Sequence, residues 1–202
     1  MNATTGATTG STLLARPSLA LLPAFRAAHE RGWSPDNVRG PAAIAETLAQ
    51  IDADAAAYVN RCADNRAGGG PPVTLPDGSQ VPRLPSLQRW IWDAADAGTS
   101  GFVGLINLRW NHGFAPLPPH VLGHVGYAVV PWQRGRGHAR RALAALLDVA
   151  REVGLPAIEL TTDPDNEASQ RVIIGNGGVL VERFVKDAVY GGTPGLRWRI
   201  GL

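Results

Sequence analysis

The sequence predicts a mixed fold of the α/β class, α+β in type: a central sheet of about six or seven strands flanked by about four helices, in one domain over residues 12–202. Two observations carry this. Three strand-like runs, 88–93, 102–110 and 121–130, succeed one another with no helical pattern between them, which asks for antiparallel pairing. The strongest amphipathic pattern in the chain, 137–153, then joins 121–130 to a short run at 157–161, and strand–helix–strand order demands a parallel crossover.

Taken in order, residues 1–11 are mostly Thr, Gly and Ala with no basic residue and no apolar segment, so they read as a disordered tail rather than a secretory signal. Residues 12–15 suit a short first strand. Residues 19–31 suit a helix that starts near Ser18 or Ala20, because Pro23 is tolerated only in a first turn, and Gly32 stops it. Residues 41–66 place Ile44, Leu48, Ile51, Ala55 and Tyr58 at helical spacing, between Gly40-Pro41 and Gly68-Gly69-Gly70. Residues 68–86 are a Gly- and Pro-rich loop, long enough to suggest function. Pro131 ends the strand at 121–130. In 137–153, Ala139, Leu143, Leu146, Leu147, Ala150 and Val153 form one apolar stripe, and Gly154 terminates it. A helix over 166–175 ends in Gly175-Asn176-Gly177-Gly178, and strands at 179–185 and 196–200 close the order.

Composition narrows the function classes. No run of about 18 apolar residues is present, so a membrane-spanning helix is not expected. A single cysteine, Cys62, rules out an internal disulfide and a cysteine zinc site, and agrees with a reducing cytoplasm. The sequence pI of about 9.1 with a net charge of only +2 is weak support for nucleic-acid binding, and no nucleic-acid partner is expected. Arginine outnumbers lysine, with Lys186 alone, and Ala, Gly and Pro are abundant, which suggests a GC-rich bacterial coding sequence.

The chemistry concentrates between the strand 121–130 and the helix 137–153. Gly135 and Gly137 let the backbone turn tightly, and the following helix start adds unpaired N–H groups and the positive end of its dipole. Arg134, Arg136, Arg140 and Arg141 surround this anion site, which suits a diphosphate; the competing reading is a plain loop leading into a helix. A nucleotide P-loop needs Gly-Lys-Ser or Gly-Lys-Thr, and a dinucleotide loop needs a third glycine where Arg140 stands.

Arg134, Gly137 and Ala139 match the signature of the GNAT acetyltransferase superfamily: Arg or Gln, two residues, Gly, one residue, then Gly or Ala. A second match is Asn166 and Ser169 in an Asn-x-x-Ser pattern, ahead of Asn176-Gly177-Gly178. The strand Gly123-His124-Val125-Gly126-Tyr127 resembles a bacterial subgroup with a Gly-His-Ile-Gly-Tyr strand. The resemblance covers about residues 88–200 and implies the GNAT fold and an acetyl-CoA-dependent N-acetyltransferase, with no metal. It implies that the amides of Arg134, Gly135, Arg136, Gly137, His138 and Ala139 hold the CoA pyrophosphate, and that Val129 and Val130 pair with the pantetheine arm as an added strand. A backbone N–H near Val129 then polarises the thioester carbonyl. Asn166 and Ser169 bond the cofactor, or else serve as a helix cap and a solvated side chain.

The family's usual tyrosine acid falls at Ile173, which cannot donate a proton. His124 and Tyr127, on opposite strand faces, are the catalytic candidates, His124 as base. Asn107 and Arg109 on the preceding strand, and His112 and His120 around the loop 113–119, are candidates for contact with the acceptor, a small-molecule or peptide amine. Trp132 is a candidate cover for the cofactor. A non-catalytic acyl-CoA-binding module is the alternative function, a nucleotide or nucleic-acid binder is the remote one, and a homodimer stays open.

Overall fold

The computed structural model describes residues 12–36, 39–62, 64–75, 77–95 and 101–202. The tail over 1–11 and most of the turn at 95–101 lie outside the described residues. Among the described residues, nine strands and five helices follow in the order β1 (Thr12–Ala15), α1 (Leu22–Glu30), α2 (Pro41–Ala53), α3 (Ala55–Arg61), β2 (Val73–Thr74), β3 (Gln80–Val81), β4 (Ser86–Asp93), β5 (Phe102–Arg109), β6 (Val125–Val129), α4 (His138–Val153), β7 (Ala157–Thr162), α5 (Glu167–Ile174), β8 (Val179–Val185) and β9 (Pro194–Gly201).

Two expectations change in the N-terminal half. The single helix over 41–66 is two helices, because Asp54 is extended (φ −162°, ψ 96°) and caps α3 by accepting the Ala57 N–H. An aspartate with its own backbone bond to offer competes with the helix it interrupts. The loop 68–86 folds back on itself as the β2–β3 hairpin.

The central sheet is divided. β1, β4, β5 and β6 form one antiparallel sheet in the spatial order 1-4-5-6, and β7, β9 and β8 form another in that order. The crossover through α4 brings β6 and β7 side by side, yet they meet at one end only. His124 donates its backbone N–H to the Glu159 carbonyl at 2.8 Å, and beyond that point the strands part. Gly123 permits the close approach, since a Cβ there would stand 2.9 Å from the Glu159 carbonyl oxygen.

The core has two parts, one on each side of the first sheet. α4 buries Leu143, Leu146, Leu147 and Ala150 against Leu87, Ile91, Ile106, Leu108 and the second sheet's Ile158, Leu160 and Ile200. α1 buries Phe25 and Ala28 against Trp90, Trp92, Phe102 and Leu105, with the Phe25 and Trp90 rings stacked at 4.8 Å. Arg89 is buried within β4 and forms a two-pronged ion pair with Asp64, which fixes the chain leaving α3 to the sheet.

Candidate active site

The gap between β6 and β7 is lined by unpaired backbone. The β5–β6 ladder is hydrogen-bonded at Val130 to Val103 and at Arg109 to His124. Antiparallel pairing alternates, so Gly126 and Ala128 also turn their peptide groups to β5. The N–H and C=O of Val125, Tyr127 and Val129 therefore point the other way, into the gap. The same alternation turns Glu159 and Thr161 of β7 toward the gap, since Ile158, Leu160 and Thr162 pair with β9. Gly104 lets β6 lie close at the mouth, because a Cβ there would collide with the Ala128 carbonyl. Val130, expected to pair with the pantetheine arm, instead gives its N–H to Val103 at 2.9 Å and is fully buried. Val129 and Tyr127 take its place as the open rungs.

At the mouth of the gap the chain makes a short 3-10 turn over Pro131–Gln133 and enters the glycine bend. Gly135 and Gly137 both have φ +77°, a left-handed backbone conformation that side chains disfavour. Gly137 is the N-cap of α4 and no side chain caps the helix, so its first-turn amides are free to meet an anion. Arg134, Gly135, Arg136 and Gly137 are all exposed around them.

The surrounding arginines divide their duties. Arg134 turns back and donates Nε–H to the Val129 carbonyl at 3.1 Å, joining the bend to the edge of the gap. Arg136 stays exposed. Arg141 does not face the anion position as expected. It donates to the Arg136 carbonyl at 2.9 Å and to Thr12 Oγ1 at 2.8 Å, and so braces the bend against β1. Arg140 runs along Gly175 at the end of α5, where its Nε would meet an added Cβ at 2.9 Å. The ring of His138 is buried against Thr12 Oγ1 at 3.0 Å, which leaves only its backbone and that of Ala139 to face the bend. Burial, reinforced by Arg141, lowers the His138 pKa. Thr12 thus belongs to the support of this site, a role that its place in a short edge strand gave no sign of.

Asn166 is the N-cap of α5: its Oδ1 accepts the Ser169 N–H at 3.0 Å. Its exposed side chain keeps the amide hydrogens to offer across the gap mouth. Ser169 is half-buried and its carbonyl accepts the Tyr127 hydroxyl at 3.4 Å, which spans the gap from β6 to α5. Burial raises the Tyr127 pKa, so the phenol stays protonated through neutral pH. Ile173, in the place of the family tyrosine, is 1% exposed and packs in the core.

His124 is otherwise engaged. Its Nδ1 accepts the Glu159 backbone N–H at 3.0 Å, so the neutral ring carries its proton on Nε2 and has no lone pair left for a substrate. Burial lowers its pKa. It also sits at the closed end of the gap, five residues and roughly 16 Å along the strand from Val129. These facts correct the expectation of His124 as base; its bonds are those of a joint between the two sheets.

Trp132 is likewise reassigned, because the Arg31 guanidinium covers its ring at 3.6 Å and the ring packs against the α1 side of the core. His112 is exposed in the loop. His120 gives its carbonyl to the Tyr190 hydroxyl at 2.7 Å and lines a cavity together with Asn107 and Arg109. Among the described residues no cluster of three metal-ligating side chains occurs, and no helix is long and apolar enough to cross a membrane.

Comparison with known proteins agrees with this architecture. In solved structures, the chain resembles the microcin C7 self-immunity acetyltransferase MccE, in complex with acetyl-CoA and AMP, at 13% identity over 97% of this chain and 98% of that one, TM-score 0.58. It resembles RimL, a ribosomal L7/L12 alpha-N-protein acetyltransferase in complex with CoA, at 14% identity over 97% and 96%, TM-score 0.58. A chimera of the spermidine N-acetyltransferase SpeG from Vibrio cholerae and hSSAT gives 15% identity over 94% and 95%, TM-score 0.58. At these identities the likeness establishes the fold. No curated protein matches the sequence. The family model described as an acetyltransferase (GNAT) domain matches residues 46–179, well over half of the chain, and the protein belongs to the GNAT acetyltransferase family.

Proposed function

We propose that the protein is an acetyl-CoA-dependent N-acetyltransferase acting on a primary amine. The observation that carries this reading is the continuity of two features: an uncapped helix start behind a two-glycine bend, and an open strand edge that leads from it into the gap. The first suits a diphosphate and the second suits a peptide-like arm. The chain's residues therefore fit the cosubstrate along its length. The amides of residues 135–139 bind the pyrophosphate, with Arg134 and Arg136 beside it. The cleft-facing peptide groups of Val129 and Tyr127 pair with the pantetheine, and Asn166 and Ser169 border it from α5.

Acetyl-CoA supplies an activated acyl carbon, whose C–S bond breaks as the C–N bond to the amine forms. The cleft-facing N–H of Val129 is aimed where negative charge gathers on the carbonyl oxygen, and that of Tyr127 lies next along the edge. The Tyr127 hydroxyl, protonated and at the α5 side of the gap, is the donor we assign to the departing sulfur. The amine attacks as its free base, and the proton it sheds on acylation passes to solvent.

A second reading, a non-catalytic acyl-CoA-binding module, is favoured by the engaged ring of His124 and the core placement of Ile173. Thiol release from acetyl-CoA over an amine panel separates the two. Release above the hydrolysis background with at least one amine is expected. Tight CoA binding with no release for any amine would establish the module.

A further inference from the structure

A cavity of about 310 Å³ opens on the α3 side of β4 and β5, walled by the β2–β3 hairpin and by His120 and Tyr190. Three arginines line it, Arg61, Arg83 and Arg109, and among the described residues its lining contains no aspartate or glutamate. Their hydrogen-bond partners are all neutral. Arg61 donates to Gln50 Oε1 at 3.2 Å, Arg83 to the Pro71 carbonyl at 3.2 Å, and Arg109 to Asn107 Oδ1 at 2.8 Å.

Two other poorly exposed arginines meet acids: Arg89 meets Asp64, and Arg197 meets Glu182. Arg109 differs from these two, because it is largely enclosed and a guanidinium withdrawn from water without a counter-charge is costly. Burial lowers its pKa, which the neighbouring Tyr190 only partly opposes. Glu159, across His124 from Arg109, is engaged by Arg197 at 3.7 Å and Arg199 at 3.5 Å. The guanidinium lies over Gly126, where an added Cβ would stand 3.5 Å from Nη2 and 3.3 Å from Asn107 Oδ1. Gly126 is the residue before Tyr127 on the strand that edges the gap. Arg109, which lines the cavity, thus reaches the strand that carries the proposed reaction site.

We propose that this cavity is the acceptor subsite and that it selects an amine that also carries an anionic group, a carboxylate foremost, bound by Arg109. The inference rests on the acetyl-transfer reading above. It names a substrate class opposite in charge to a polyamine, which would meet three arginines and no acid. Gly126 and Val129 are three residues apart, about 10 Å, so the amine and the anion of the acceptor are separated by several bonds. A short peptide with a free C-terminus has that form. Charge-assisted bonds from a guanidinium supply the preference.

The test uses the whole chain with acetyl-CoA and measures kcat/KM for triglycine, triglycinamide, spermidine and 3-aminopropylphosphonate. Triglycine is expected to exceed triglycinamide by about ten- to a hundredfold, and Arg109→Gln is expected to erase the difference while acetyl-CoA affinity, the check on folding, is retained. A preference for the phosphonate over triglycine would keep the anionic class and assign it to phosphate-like groups. Equal or better use of spermidine or triglycinamide overturns the proposal and leaves acetyl transfer standing. If no amine is turned over, calorimetry with triglycine decides: binding that Arg109→Gln abolishes upholds the anion site and sinks the transfer reading, and no binding overturns the anion site.

Discussion

Nδ1 of His124 accepts the backbone N–H of Glu159 at 3.0 Å, and the His124 backbone N–H returns a bond to the Glu159 carbonyl at 2.8 Å. These two bonds hold the two sheets together at one end, so that β6 and β7 part toward Val129 at the other. His124→Ala leaves the Glu159 amide short of a partner and is expected to cost about 1–3 kcal/mol of stability, measured by urea unfolding. The pH dependence follows from the lowered pKa of His124. The folded state favours the neutral ring, so its contribution is complete above the ordinary histidine value of about 6.5 and is lost as pH falls through the lower folded value. The variant should therefore lose less stability than the wild type between pH 7 and 5. An identical slope would remove the joint from the account.

Gly137→Asp tests the bend. The position has φ +77° and an added Cβ would meet Arg141 Nη1 at 2.8 Å, while the new carboxylate would face the diphosphate. Acetyl-CoA affinity measured by calorimetry should fall by at least a hundredfold, on the order of 3 kcal/mol. Gly32→Asp carries the same backbone strain at φ +84° with nothing within 4 Å, and should bind acetyl-CoA as the wild type does.

Tyr127→Phe tests the proton donor. Removing the hydroxyl should lower kcat by about 10²–10⁴-fold with little change in acetyl-CoA affinity. Because burial holds the phenol above its ordinary value, the wild-type rate should hold through neutral pH and fall only in strong alkali. An unchanged kcat in the variant would show that the thiolate departs without this hydroxyl.

Arg89→Ala tests the anchor behind the acceptor cavity. It leaves the Asp64 carboxylate, 15% exposed, with only the exposed Arg16 guanidinium at 3.6 Å, and should destabilise the fold by about 3 kcal/mol, the low end for a broken buried pair. Arg89 holds the Asp64 carboxyl below the usual carboxylate range. That contribution is present above the ordinary carboxylate pKa and disappears as pH falls through the folded value, so wild type and variant should converge in acid. Thermal unfolding at pH 7 and pH 3 measures both.

The parts of the fold that were legible in the sequence are those fixed by local chemistry. The stripe from Leu143 to Ala150, the stop at Gly154 and the bend at Gly135 and Gly137 each follow from residue type and spacing, and α4 and its approach stand where these signals put them. The break at Asp54 was hidden because an Ala-rich stretch continues the helical period on both sides of it. The division of the sheet was hidden for a different reason. Strand runs at β6 and β7 announce neighbours, but only the approach allowed by Gly123 and the His124 ring bond limits their contact to one end. Side-chain direction escaped in the same way. Arg141 turns to Thr12, 129 positions away, and no local pattern encodes such a partner.

The central claim concerns the main-chain amides of residues 135–139. A crystal structure of the protein grown with CoA tests it most directly. The two phosphorus-bearing groups should lie within hydrogen-bond reach of those amides, with the pantetheine running along Val129 and Tyr127. CoA ordered elsewhere on the molecule, with the glycine bend and the strand edge untouched, would contradict it.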